Sequence, residues 1–239
     1  MTSTSNTSPI AIVFGGSRGI GAACVRALAA DGYQVGYTYQ SSAPVSSVGR
    51  GYQLDIRDAQ AVARVFDDVE RDFGARPQVV VANAGINVPA GPLAQFSPEN
   101  FRLLVEVNLV GAFNILAEAG RRVSDGGAIV ALSSSLVRLP VPGTGPYTAT
   151  KAAVESLVRC MAKELAVRRI RVNAVAPGPV DTDLFNAGKT DEVKQRMAAM
   201  SPFNRIGQPA EIAEVVRFLV SDKASWVHGQ IVQPNGGQI

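Results

Sequence analysis

Short apolar runs alternate with longer stretches of helical period along the chain. Residues 10–15, 34–39, 51–55, 78–83, 127–133, 170–175 and 230–234 read as strands. Val79-Val80-Val81-Ala82 and Ile129-Val130-Ala131-Leu132 are unbroken apolar runs, the pattern of strands covered on both faces. Residues 19–31, 58–73, 98–123, 147–168 and 209–221 carry helical periodicity. Pro98 and Pro209 sit where a first helical turn accepts proline, and Ser97 with Asn100 three residues on is a helix start. Strand–helix–strand alternation predicts an α/β fold, a doubly wound parallel sheet of seven strands with helices on both faces. Composition does not break and no repeat recurs, so one domain is expected over residues 9–239, behind a flexible N-terminal tail at 1–8. Two segments resist the pattern. Residues 40–50 are rich in Ser, Pro and Gly where a helix normally stands; residues 181–203 are weakly periodic, as an active-site lid is.

With 46% hydrophobic residues the chain of 239 is globular in composition. Its net charge is only +3 and its Lys and Arg residues are scattered, so no nucleic-acid partner is expected. That mild excess suits a phosphorylated cofactor or an acidic carrier. Cys24 and Cys160 fall inside apolar helical patterns and read as small buried hydrophobes in a reducing, cytoplasmic setting. No apolar stretch approaches 18 residues, so no membrane span is expected. No His/Cys/Asp cluster has metal-ligand spacing, and His228 reads as a packed histidine.

Candidate chemistry begins at the first strand's end, Gly15-Gly16-Ser17-Arg18-Gly19-Ile20-Gly21, followed directly by a helix. Gly15 permits a tight turn, Gly19 lets backbone approach a pyrophosphate, and Gly21 lets helix and strand pack closely; the helix N-terminus offers free N–H groups to phosphate. The second strand ends in Tyr39 and is followed by Gln40, Ser41 and Ser42, with no carboxylate to hold a ribose 2′-hydroxyl. Arg18 instead offers a guanidinium fork to a 2′-phosphate, which points to NADP(H); Arg50 is a weaker candidate. Asp55-Ile56 closes the third strand, where Asp55 is either a ligand or the N-cap of the next helix. Asn83-Ala84-Gly85 ends the fourth strand and Ser134 follows the fifth. Tyr147 and Lys151 share one face of a helix at i, i+4, and Asn108 interrupts an apolar helical stripe.

Together these motifs resemble the short-chain dehydrogenase/reductase family, over nearly the whole chain from Ile10 to Gly237. Two departures stand out: Phe14 replaces the Thr that ties the family's glycine turn, which puts the turn's rigidity in question, and Ala82 replaces the first Asn of N-N-A-G. The resemblance implies a Rossmann-type fold and a tetrad of Asn108, Ser134, Tyr147 and Lys151. It implies that Asp55 and the Ile56 N–H bind adenine, that Gly85 passes the adenosine ribose, and that Asn83 fixes the sheet edge. It assigns Lys151 to the nicotinamide ribose and Asn108 to a water relaying protons to Lys151. Asn173-Ala174-Val175-Ala176-Pro177-Gly178 is similar to the family's N-x-x-x-P-G, which places Pro177, Gly178, Val180 and Thr182 by the nicotinamide. Among the three serines 133–135, the thirteen-residue spacing to Tyr147 selects Ser134.

In carbonyl reduction the nicotinamide supplies hydride and the protein a proton. A phenol titrates about three units above neutrality, about 4 kcal/mol, and an ammonium at about 4 Å offsets that at an effective dielectric near 20. Lys151 is therefore expected to bring Tyr147 towards neutral pH, and Ser134 to donate to the carbonyl oxygen. Loops 86–92, 135–146 and 180–203 are expected to wall an apolar pocket around Ser134, Tyr147, Leu136, Val141, Leu184 and Phe185, with Met197 and Met200 nearby. The expected activity is NADPH-dependent reduction of a ketone or aldehyde, free or as a carrier-bound 3-oxoacyl group recognised through Arg121, Arg122 and Arg138. The alternatives are a secondary-alcohol or polyol dehydrogenase and a non-catalytic NADP-binding sensor or scaffold. Family analogy implies a homotetramer paired through helices 98–123 and 147–168.

Overall fold

The computed structural model describes residues 8–41 and 48–239; the expected tail, apart from Ser8, and Ser42 lie outside them. Seven parallel strands form one sheet: β1 (Ile10–Phe14), β2 (Gln34–Tyr39), β3 (Arg50–Gln53), β4 (Val79–Ala82), β5 (Ala128–Leu132), β6 (Arg171–Val175) and β7 (Ile231–Val232). Their order is β3-β2-β1-β4-β5-β6-β7, so winding reverses between β1 and β4. At that switch Val13 pairs with Tyr37 on one side and Val81 on the other. Ligands of doubly wound sheets bind in the crevice this reversal leaves at the strands' carboxyl ends.

Side-chain alternation divides the sheet's two faces. Ile10, Ile12 and Phe14 of β1 point into one core, which helices α2 (Ala59–Phe73), α4 (Ala112–Arg122) and α5 (Gly145–Leu165) complete. Ala11 and Val13 point into the other, under α1 (Gly19–Ala30) and α8 (Pro209–Val220). The central strands bury every residue, as their unbroken apolar runs require.

The expected helix at 98–123 has three parts: α3 (Pro98–Leu104), a π-helical segment Val105–Gly111, and α4. Ser97 caps α3 by accepting from the Asn100 N–H. By length and composition alone this stretch, Pro98–Arg122, passes for a bilayer-crossing helix, an 18-residue window within it reaching a mean hydropathy of 1.4, as core helices of folded proteins also do. Its Ile115, Leu116 and Ala119 are spent in the core, while Phe101, Leu103 and Phe113 stay exposed. Cys24 is buried as expected, but Cys160 is exposed, because it falls on the outer side of α5.

Helix ends are held by arginines. Arg171 donates to the carbonyls of Leu219, Val220 and Ala224 at the end of α8. Arg168 does the same for Gly120 and Val123 after α4. His228 accepts from the Val172 N–H at Nδ1 while its Nε2 meets the Ala162 carbonyl, a packed histidine clamping β6 to α5.

Thr38 resolves the question raised by Phe14. Its hydroxyl, on the neighbouring strand, accepts from the Gly15 N–H at 3.0 Å. Asn83 completes the tie by donating to the Gly15 carbonyl at 2.9 Å. Phe14, freed of that duty, is fully buried against Phe66, ring centroids 5.8 Å apart. Thr38→Val removes the acceptor from a buried N–H and is expected to cost about 1–3 kcal/mol in urea unfolding. An unchanged midpoint would show that the hydroxyl carries no tie.

Candidate active site

The crevice begins at the glycine turn. Gly15 and Gly19 have φ of +75° and +54°, which only glycine adopts without strain. A Cβ on Gly21 would lie 2.0 Å from the Gly15 carbonyl oxygen, so α1 packs on the turn only because that residue has no side chain. A Cβ on Gly19 would meet the Thr182 side chain at 3.2 Å, which places the start of the 180–203 segment over the turn. Ser17 and Ile20 are half-buried beside it. Arg18 precedes α1, is exposed, and makes no ion pair among the described residues. Tyr39 is half-buried, the Gln40 carbonyl accepts from Gln53 Nε2, and Ser41 is exposed. Arg50, the second phosphate candidate, pairs with Asp72 at 3.0 Å.

Beyond β3 the chain makes a tight loop. Asp55 accepts from the Arg57 N–H and holds the Arg57 guanidinium with both oxygens. That pairing keeps the Asp55 carboxyl below its usual range. The helix cap is Asp58, not Asp55: its side chain accepts from the N–H groups of Gln60 and Ala61. Asn114 of α4 donates to the carbonyls of Ile56 and Arg57. Sequence reasoning missed Asn114, whose only signal is one more polar position on an amphipathic helix. Across the switch, Ala84 packs against Gly15, and a Cβ on Gly85 would meet Asn108 Oδ1 at 3.1 Å and Lys151 Nζ at 3.4 Å.

The four candidate catalytic side chains converge there. The π-helical segment carries Asn108, which is 1% exposed. Its Oδ1 accepts from the Ile86 N–H at 2.8 Å; its Nδ2 donates to the Ile86 carbonyl at 2.9 Å and reaches Thr150 Oγ1 at 3.4 Å. The amide thus ties the β4 loop to α5. Single π turns of this kind recur at functional sites. Ser133 is turned aside, donating to Glu155 at 2.8 Å, and Ser135 is buried. Ser134 accepts from the Leu136 N–H, and its nearness has a small lowering effect on the Tyr147 phenol, so the structure places this serine near the phenol.

Lys151 is 6% exposed and donates to the Leu132 carbonyl at 3.0 Å. Its Nζ lies 5.9 Å from the Tyr147 ring centroid. Burial pushes the Tyr147 phenol up to about 12, against the smaller lowering effect of Ser134. Burial brings the Lys151 ammonium down to about 8. For both groups the leading cause is the cost of burying charge.

A small cleft of about 30 Å³ opens beside Tyr147, lined by Asn87, Val88, Phe96, Leu104, Leu136 and Thr144 among others. Of the expected pocket residues, Leu136 and Tyr147 line it. Val141 and Leu184 are exposed, and neither they nor Phe185 reach this cleft. The Gly91 N–H bonds the Gly143 carbonyl and closes the loops over the far wall. The 181–203 segment is more ordered than its periodicity suggested, forming α6 (Asp183–Asn186) and α7 (Asp191–Ala199). Thr182 and Thr190 cap them, so the Thr182 hydroxyl is engaged with the Phe185 N–H and the Val180 carbonyl. Val180 is 5% exposed, its side chain in the core and its backbone bridged to Gly207. Pro177 accepts from the Ser135 N–H, and Gly178 packs so close to Asn235 that a Cβ would lie 2.9 Å from its Cα. Asn173 orients this loop indirectly, bonding the backbone of Val227 and Gln230.

Comparison with known proteins agrees with this geometry. A family described as Enoyl-(Acyl carrier protein) reductase matches residues 15–238. A short-chain type dehydrogenase/reductase of Picea abies is 40% identical, covering 96% of this chain and 92% of its own. An Arabidopsis thaliana protein named NADPH-dependent aldehyde reductase-like, chloroplastic, is 39% identical, covering 96% and 94%. Among solved structures, a short-chain dehydrogenase from Burkholderia cenocepacia J2315 in complex with NADP superposes with a TM-score of 0.87 at 31% identity, covering 96% of this chain and 97% of its own.

Proposed function

The chain belongs to the short-chain dehydrogenase/reductase family of oxidoreductases, and on that premise we propose that it reduces a ketone or aldehyde with NADPH, Tyr147 giving the proton. The observation that carries this reading is the convergence of Ser134, Lys151 and Asn108 on Tyr147, which lines a small cleft, with the Gly85 backbone packed against Asn108 and Lys151. NADP(H) fits the residues present: Gly19 and Gly85 leave room where any side chain would intrude, and the N–H groups at the start of α1 face the crevice. The unpaired Arg18 and the absence of an acid at the end of β2 favour a 2′-phosphate. The names of the Arabidopsis relative and the Burkholderia complex support the same cofactor. Arg57 engages both Asp55 oxygens, so accepting from the adenine amino group means displacing part of that pair.

When bound, the nicotinamide supplies the hydride. Tyr147, neutral at working pH, donates its proton to the carbonyl oxygen, and Ser134 donates a second hydrogen bond as charge builds there. Lys151 spends one of its three N–H donors on Leu132, which leaves two for the nicotinamide ribose and the Tyr147 proton path. Asn108 serves by holding the Ile86 loop and Thr150 in place. Pro177, Gly178 and the Val180 backbone line the nicotinamide side.

The cleft admits a small carbonyl compound more readily than a long acyl chain. Carrier recognition through Arg121 and Arg122 is disfavoured, because Glu118, Asp67 and Glu70 pair with them at the far end of α4. Arg138 stays exposed on the cleft's own loop. The exposed Phe101, Leu103 and Phe113 suit pairing between copies in a homotetramer, and two free thiols suit a reducing, cytoplasmic setting.

Purified protein with small aldehydes, aryl ketones and ethyl acetoacetate should oxidise NADPH with a kcat/KM about tenfold or more above that for NADH, one charge-assisted phosphate contact being worth that much. NADH preference would remove the Arg18 argument. Tight NADPH binding with no turnover across the panel would move the assignment to a sensor, and faster alcohol oxidation to a dehydrogenase.

A further inference from the structure

The Asp55–Arg57 loop has no strand or helix of its own, yet it is held from the side by the far end of the stretch that carries Asn108. Asn114 spends both N–H bonds of its amide on it, to the Ile56 carbonyl at 3.0 Å and the Arg57 carbonyl at 3.2 Å. Three residues earlier, Gly111 closes the π-helical segment, and a Cβ there would lie 2.6 Å from Ile56 Cδ1 and Cγ1. Ile56 therefore seats its side chain in a notch that only glycine leaves open. Within the loop, Asp55 closes on the Arg57 N–H, and Asp58 anchors the other end to α2. The arrangement fixes where the Asp55 carboxylate and the Ile56 backbone face the crevice.

We propose that Asn114, seated beside the Gly111 notch, is a positioning residue for the adenosine end of the cofactor, an inference that rests on the cofactor reading above. It touches no ligand; it holds the loop whose Asp55 and Ile56 meet the adenine. Asn108, six residues before it, does the equivalent for the Gly85–Ile86 loop and Thr150. One irregular helical stretch thus sets both halves of the crevice.

The test is the affinity of the whole protein for 5′-ADP and 2′,5′-ADP by calorimetry, beside the KM and kcat for NADPH. Asn114→Ala should weaken both fragments about tenfold and raise the KM for NADPH in step, with the loss in KM and not in kcat. Asn114→Asp keeps the shape but turns a carboxylate oxygen on two carbonyls, so it should weaken them at least as much, and it serves where the alanine variant does not fold. Unchanged fragment affinities, or a loss falling on kcat alone, would overturn the proposal. The wild-type protein separates the premises: a preference for 2′,5′-ADP supports the NADP(H) reading. Equal binding of the two fragments removes that reading yet leaves Asn114 standing if its variants still weaken both, and binding of neither removes both.

Discussion

Tyr147→Phe will lower kcat/KM for carbonyl reduction by about 10²–10⁴-fold and leave NADPH affinity close to that of the unaltered protein. The ring keeps its half-buried place, and Ser134 keeps the bond it accepts from the Leu136 N–H. Only the proton donor is lost, so the deficit belongs in kcat. The pH profile carries further information. Tyr147, pushed up to about 12 by burial, stays protonated and able to donate across the working range. Lys151, lowered to about 8 by burial, loses its charge as pH rises through that value. Activity should therefore hold on the acid side and decline above pH about 8, the limb tracking Lys151 and not the phenol. A variant retaining more than a tenth of the activity would exclude Tyr147 as proton donor.

Lys151→Met will abolish turnover and make the cofactor-free protein more stable. An ammonium at 6% exposure is held against its solvation preference, donating to the Leu132 carbonyl. The sign follows from the direction of the shift. The folded value, about 8, lies below the ordinary 10.5. Below pH 8 both folded and unfolded chains carry the proton, and the burial cost is present in full. Between about 8 and 10.5 the unfolded chain still binds the proton that the folded one has released, so stability rises with pH and the cost disappears. The variant should exceed the parent by about 2–3 kcal/mol at pH 7, reduced somewhat by the abandoned Leu132 carbonyl, and the difference should shrink towards pH 10.5. Denaturant unfolding at pH 7 and pH 10 measures it; a variant less stable than the parent at pH 7 would show that the ammonium is well accommodated.

The sheet was legible because its strands announce themselves twice, by unbroken apolar runs and by the helical intervals between them. Tyr147, Lys151 and Ser134 were legible because their chemistry depends on spacing along one helix and at one strand end. What escaped depends on contacts distant in sequence. The Val105–Gly111 segment looks like ordinary helix, since a π turn arises from how Asn108 and Gly111 meet Ile86 and Ile56 and not from apolar period. α6 and α7 escaped because they bury no residue fully and so show little amphipathic contrast. The walls of the cleft beside Tyr147 depend on tertiary approach: Phe96 and Leu104 come in from the loop before α3 and from α3 itself, while Leu184 is exposed. Asp55 and Asp58 both suit an N-cap, and only the backbone path shows that Asp58 takes the role.

The hydroxyl that secures the Gly15 turn sits on the strand beside it and not on the strand that leads into it. Two duties that a single position would otherwise share are thereby separated. Position 14 is free to be selected for bulk in the core, where Phe14 meets Phe66, and position 38 for the hook. A requirement that belongs to a point in space can be inherited by any chain segment passing that point. Substitution at 14 and at 38 should then trade against each other over evolutionary time, and the lineage can alter its packing without loosening the grip on its nucleotide.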